Sequence, residues 1–363
     1  MTRQVTIIIP TFKRVACLAR AVESVFAQRC LTHERPALII VDNDPAGSAL
    51  AQARALKARA PACLEVSVLH CPQAGVSNAR NMALDHARTP LVAWLDDDQS
   101  AAPDWLGNLL AAQAKWKAAV TFGPVRAVLP ATVTAHRAFF EAFFSRNPAH
   151  ETGPINAFYG CGNALLDLRQ MPDLPQLFAS DRNETGGEDD LLFMHVERAG
   201  GRFAWASDAP VFEHVPARRA RLRYTLARAV SYGQGPTRKA EETGEYGRAA
   251  LWVAIGAAQL TLFSLLAAAG WLSRAPRRAF WLDRAAQGLG KVFWRRRLKF
   301  YGASQLPAPL DQPGRVPAKR RARPAPGPAF DCCSLIAQTA GEGAGHTDIS
   351  DPDETVELQQ QAL

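Results

Sequence analysis

Three consecutive carboxylates, Asp96, Asp97 and Asp98, close the apolar run LVAWL at residues 91–95. Apolar residues in an unbroken row after Pro90 predict a buried strand of a parallel sheet, and open α/β sheets bind ligands beyond the carboxyl ends of their strands. Acids crowded at such an end repel one another, and burial raises their pKa values. A divalent cation relieves both, and hard oxygen ligands suit Mg²⁺ or Mn²⁺. The competing reading is a solvated acidic turn. A second acidic group stands in GGEDDLLFMHVERAGGRF, residues 186–203, where two glycines precede Glu188, Asp189 and Asp190 and a helical pattern follows. The helix dipole favours acids in a first turn, which accounts for them structurally. The functional reading places one of them over the site as a general base. Asp42 and Asn43 end another apolar run, where they could accept from ribose hydroxyls or a base N–H. Arg80 follows Gly75 in a helix whose start could meet a phosphate. His214, in VFEHVP, is a candidate third metal ligand, with a surface histidine as the alternative.

The elements that position these groups follow from periodicity. Residues 5–9 (VTIII), 37–41 (ALIIV) and 65–70 read as strands, with helices predicted over 16–28, 48–59 and from Gly75 to Ala87. Strand and helix alternate four times in the first hundred residues, predicting an α/β fold built on a doubly wound, mostly parallel sheet. All the candidate groups in that half then fall on one edge of it. Further along, residues 120–128 read as a strand interrupted at Gly123–Pro124. Residues 136–144 form a helix with four phenylalanines, and Gly160 and Gly162 flank Cys161 before Asn163, a pattern that marks a bulge or a close backbone approach to substrate.

A net charge of +8 and a pI near 9.3 suit anionic partners such as a nucleotide or an acidic membrane surface. Nucleic acid is disfavoured: the acids occupy the place of a basic groove, with no zinc-finger spacing and no RNP-like aromatic motif. Seven scattered cysteines without CxxC predict a reduced protein. MTRQVTIIIP leads straight into a strand, so the catalytic region is expected in the cytoplasm.

IIIPTFKR, LIIVDND, AGVSNARN, WLDDD, GCGNALL and GGEDDLLF, in this order over residues 5–233, resemble the family-2, inverting, nucleotide-sugar glycosyltransferases of the GT-A fold. DNDPAGSA, SNARNMALD and EHVPARRARLRYTLARAVSYG are most similar to bacterial exopolysaccharide glucosyltransferases of the succinoglycan type. The resemblance implies a UDP-sugar donor, Mn²⁺ or Mg²⁺, and a glycan acceptor, and a seat at the membrane would suit a lipid-linked one. It implies that Pro10, Thr11, Asp42 and Asn43 line the nucleoside pocket, that Arg14 and Gly75 belong to the donor site, and that Arg80 approaches the ribose or diphosphate. Asp96 and Asp98 fall on the outer acids of the DxD motif and Asp97 on its variable middle. Asp189 falls on the catalytic base, with Asp190 as rival; Glu188, Asp190, Gly162 and Asn163 would face the acceptor. Asn43 stands where many relatives have Asp. A nucleotidyltransferase of related fold remains an alternative, although PTFKR lacks the glycine its phosphate loop would want; a non-catalytic glycan or membrane adaptor is the other.

Residues 249–273 carry no charge, and residues 279–302 mix aromatics with Lys and Arg. A single crossing would place the basic segment outside, against the positive-inside tendency. The expectation is therefore a helix dipping into or lying on the cytoplasmic face of the bacterial inner membrane, the alternative being a helix pair packed on the globular domain. The predicted organisation is a catalytic domain at 1–235, membrane-associated helices at 236–303, and a disordered tail at 304–363 that includes Cys332 and Cys333.

Overall fold

The computed structural model describes residues 4–148, 150–183 and 186–296. The expected tail at 304–363, with Cys332 and Cys333, and residues 297–303 of the basic segment lie outside them.

The first strand, β1 (Val5–Thr11), is the centre of the architecture. Its alternate side chains serve opposite faces, as strand geometry requires: Val5, Ile7 and Ile9 join one core cluster and Ile8 the other. After α1 (Val15–Phe26) and the short α2 (Leu31–Glu34) come β2 (Ala37–Asp42), α3 (Leu50–Ala58), β3 (Glu65–His70), α4 (Val76–His86) and β4 (Leu91–Trp94). Strands β3-β2-β1-β4 pair in parallel, so the strand order turns between β1 and β4 and leaves a crevice at their carboxyl ends. Helix α1 buries Leu18, Ala21, Val22 and Val25 against one face of the sheet; α4 contributes Ala79 and Ala83 to the other.

The remainder follows as β5 (Gln99–Ala101), α5 (Trp105–Trp116), β6 (Val120–Phe122), β7 (Val125–Val128), α6 (Arg137–Phe144), β8 (Gly153–Ile155), β9 (Ala164–Asp167), α7 (Glu188–Arg198), β10 (Phe203–Trp205) and β11 (Val211–His214). Strand β9 inserts antiparallel between β4 and β6, and β10 and β8 complete an eight-stranded mixed sheet. The interruption expected at Gly123–Pro124 separates β6 from β7, which changes sheets: β5, β11 and β7 form a second, three-stranded sheet directly after the triple acid.

Helices α8 (Leu222–Glu242), α9 (Tyr246–Leu272) and α10 (Arg278–Val292) pack on one another. Helix α8 runs unbroken across residue 235. Glycines set the close approach of α9 and α10: a Cβ on Gly288 would lie 2.7 Å from the Gly256 carbonyl. The pair is anchored on α6, where Phe280 meets Phe139 edge-on at 5.2 Å. Helix α9 has a mean hydropathy of 1.8 over its most apolar stretch, yet only 17% of that stretch is buried. Lys291, expected on a basic interfacial surface, is instead buried between the helices, its Nζ donating to Gln259 Oε1 at 3.1 Å.

Candidate active site

The crevice between β1 and β4 gathers the triple acid, and its three carboxylates face different ways. Asp97 turns inward. Thr11 Oγ1 donates to its Oδ2 at 2.8 Å, and Arg14 Nη1 to its Oδ1 at 2.8 Å. The middle acid thus fastens the turn after β4 to the end of β1. Burial pushes Asp97 up to about 6, with Arg14 pulling the other way. Asp98 Oδ2 accepts from Arg14 Nη1 at 2.8 Å and from Arg219 Nη1 at 3.2 Å. Two guanidinium groups therefore offset the repulsion within the acidic turn. Asp96 receives no side-chain hydrogen bond among the described residues; burial raises it and Arg80 pulls it down. Gly162 lies flat against it, and a Cβ there would overlap the Asp96 carboxylate.

The second acidic group enters from the start of α7. Gly186 and Gly187 have φ of +75° and +83°, the left-handed region that glycine adopts without strain. The helix therefore begins abruptly, with its acids fanned. Glu188 points inward to a buried ion pair with Arg80 Nη1 at 2.7 Å; burial pushes Glu188 up while Arg80 pulls it down. Asp189 is half-buried: its Oδ2 accepts the Cys161 N–H at 2.9 Å and its Oδ1 the Asp190 N–H at 3.0 Å. Asp190 is exposed. Among the three, Asp189 is held against the same Gly160–Gly162 segment that covers Asp96.

Several expected donor and acceptor groups have structural partners. Arg80 is buried, paired with Glu188 and stacked over Phe178 and Trp94 at 5.0 and 5.7 Å, so it does not stand open to a diphosphate. The start of α4 after Gly75 is likewise closed, because Asn183 Oδ1 accepts the Ser77 N–H at 2.8 Å. Asn43 spends its amide on the chain: Nδ2 donates to Cys71 O and Gln73 O, and Oδ1 accepts the Gly75 N–H at 2.7 Å. Asp42 accepts from the Asp44 and Ala49 N–H groups, shaping the turn into α3. Pro10 and Thr11 stay in β1 at the crevice floor. Asn163 is the clearest correction. It is fully buried, accepting from Trp105 Nε1 at 2.7 Å and donating to Pro124 O and Ala209 O. It therefore ties four segments together and does not face an acceptor.

His214 Nε2 is 2.9 Å from Ser100 Oγ, and the residue's N–H donates to Asp98 O. Among the described residues, no three His, Cys, Asp or Glu side chains are grouped to hold a metal ion, so the expected set of Asp96, Asp98 and His214 is not assembled. The donor set still fits a hard cation of the Mg²⁺ type, which takes one or two protein carboxylates and completes its shell with phosphate and water. Asp96 and Asp98 are the two carboxylates that would hold it.

Three contributors escaped the sequence reading. Arg146 reaches the Gly160 and Gly162 carbonyls. Arg219 meets Asp98 from a loop 121 positions later. Glu213 is pushed up to about 8 by burial and by Asp98, with Arg219 pulling it down. The arginine-rich run ARRAR after VFEHVP was the available signal for Arg219; a lone arginine between α6 and β8 offered none for Arg146.

The profile of Glycosyl transferase family 2 matches residues 6–169. The succinoglycan biosynthesis protein ExoM of Rhizobium meliloti (strain 1021) is 31% identical over 308 residues, covering 84% of this chain and 98% of that protein. Among solved structures, the mannosyltransferase PcManGT from Pyrobaculum calidifontis, in complex with GDP-Man and Mn²⁺, superposes with a TM-score of 0.56 at 20% identity, covering 81% of this chain and 88% of that one. Its likeness is one of fold. The matching profile, the relative spanning most of both chains and the crevice at the turn of the strand order agree: this chain belongs to glycosyl transferase family 2.

Proposed function

We propose that the protein is an inverting hexosyltransferase that draws on a UDP-sugar, with glucose as the expected hexose, and serves exopolysaccharide synthesis by extending a lipid-linked glycan. The observation that carries this reading is the placement of Asp189 and Asp96 on one backbone segment, Gly160–Gly162. A proton acceptor thereby stands across from the acids expected at the diphosphate. Asp189 takes the proton of an acceptor hydroxyl as that oxygen forms its bond to the anomeric carbon. The bond from that carbon to the diphosphate oxygen breaks, and UDP departs with the electron pair. One displacement from the opposite face inverts the configuration and needs no carboxylate nucleophile, unlike retaining glycosidases. A divalent cation held by Asp96 and Asp98 would supply charge neutralisation to the leaving diphosphate. Arg14 and Arg219 flank Asp98 with positive charge for the same anion.

The acceptor reading is supported by α9. Leu251, Leu262, Leu265 and Leu272 are exposed along it, with basic residues at both ends of the segment. A crossing would carry its packed partner α10, with Asp283, Arg284 and Lys291, into hydrocarbon, which is costly for each charge. Gln259 ties the middle of α9 to α10, donating to Arg284 O at 2.9 Å. The helix therefore lies in the plane of the cytoplasmic leaflet, joined through α10 to the catalytic domain.

Calorimetric titration of UDP-, GDP- and TDP-sugars with and without Mn²⁺ tests the donor site. Metal-dependent binding of one UDP-sugar is expected; no binding by folded protein refutes the reading in favour of an adaptor. Asp189→Asn should bind that donor as wild type does and fail to transfer. Retained transfer would remove Asp189 as base.

A further inference from the structure

The Arg146 side chain is buried, its guanidinium 5.8 Å from the Tyr159 ring and its Nε without a partner among the described residues. Its backbone is fixed by two hydrogen bonds of 2.8 Å with Val125, at the start of β7. From that anchor, Nη1 donates to Gly160 O at 2.7 Å and Nη2 to Gly162 O at 2.6 Å, with Gly123 O at 3.5 Å. The Gly160 carbonyl and the Cys161 N–H belong to one peptide unit, which is planar and trans, so its C=O and N–H point in opposite directions. Arg146 therefore holds one end of the plane whose other end donates to Asp189 Oδ2 at 2.9 Å. Its second arm holds Gly162, the residue that lies against Asp96. One guanidinium thus sets the backbone on which both acids rest. A structural arginine would need only to satisfy stray carbonyls; this one takes two carbonyls of a three-residue segment and places its charge beside Asp96 and Asp189.

We propose that Arg146 is the positioning residue of the transfer reaction, orienting the Asp189 carboxylate through the Gly160–Cys161 peptide. The inference rests on Asp189 being the base. The other charged or titratable groups around Asp189 are Glu188 and Asp190 on its own helix, Arg80 from α4, and the buried Cys161 thiol. Arg80 is paired with the Glu188 carboxylate, whereas Arg146, among the described residues, donates only to backbone carbonyls.

Steady-state kinetics of the full chain carrying Arg146→Lys, Arg146→Met or Asp189→Asn tests this, with thermal melting of each variant as the check on folding. Arg146→Met is expected to lower kcat by about 10²-fold, the scale of a small misplacement of a reacting group. The donor KM should change far less than kcat, because the role of Asp189 belongs to the transition state while Asp96 stays fixed at the end of β4. Arg146→Lys keeps the charge but not the planar fork that holds both carbonyls, so it should recover only part of the rate lost in Arg146→Met. Wild-type kcat in folded Arg146→Met, or a donor KM that rises as much as kcat falls, overturns the inference. Should Arg146→Met fail to fold, Arg146→Lys decides: wild-type kcat there overturns it equally. Asp189→Asn separates the two claims. Transfer by that variant removes the base and this inference together; its inactivity beside an unaffected Arg146→Met removes only the role of Arg146.

Discussion

Replacing Arg80 with methionine tests how the start of α7 is held. The guanidinium and the Glu188 carboxylate are 2.7 Å apart, with side chains only 6% and 8% exposed. Methionine retains contact with Trp94 and Phe178 through its flexible thioether, so the change isolates the charge. Removing one partner of a buried pair costs about 3–5 kcal/mol, because the other is left uncompensated. The cost should depend on pH. Burial raises Glu188 even with Arg80 present, and without the cation the rise must be larger. A carboxyl whose folded pKa lies above its unfolded value, about 4.3, contributes stability that is present below the unfolded pKa and is lost as pH rises through the folded one. The Arg80→Met defect should therefore be small near pH 4.5 and grow toward pH 8. Urea unfolding of wild type and variant across that range measures it. Glu188→Gln added to Arg80→Met should recover part of the loss at pH 8, since the stranded charge is gone. A defect under about 1 kcal/mol at pH 8, the scale of an exposed ion pair, or one of equal size at both pH values would refute the buried-pair reasoning.

Other perturbations have equally definite outcomes. Asp98→Asn should weaken Mn²⁺-dependent donor binding by about tenfold or more, roughly 1.4 kcal/mol, measured by calorimetry. Gly162→Ala should displace the Asp96 carboxylate, which its Cβ would overlap, and weaken donor binding while the protein still melts cooperatively. Asp283 is raised to about 6 by burial, against the pull of Gln287 and Arg284. Its contribution is present below its unfolded pKa and lost as pH climbs through 6, so Asp283→Asn should melt above wild type at pH 7.5 and level with it near pH 4. Leu262→Glu with Leu265→Glu should abolish pelleting with anionic vesicles and leave soluble donor binding unchanged.

The fold was largely legible because its signals are local. Runs such as VTIII and ALIIV show burial in their own composition, and their alternation with amphipathic helices implies parallel pairing of the first strands. The insertion of β9 antiparallel beside β4 was not legible. Residues 164–166 (ALL) are an apolar run like any other, and their partner is chosen by the return of the chain after α6. In the site, the positions of Asp96–Asp98 and of Glu188–Asp190 could be read, since strand ends and helix starts are written in the sequence. The work of each acid could not be read, because adjacent residues at such a turn point in different directions.

The amino-acid sequence by itself determined that Asp96–Asp98 close a buried strand of a parallel sheet and that Glu188–Asp190 open a helix, since both are written locally in apolar runs and glycine breaks. Only the tertiary structure decided that Asp97 faces Thr11 and Arg14, that Glu188 and Arg80 pair, and that Asn163 is buried beside Trp105. It also decided that Arg146 and Arg219 complete the site. Periodicity reports which face of an element is buried; a hydrogen-bond partner depends on which elements pack against that face, and those come from far along the chain.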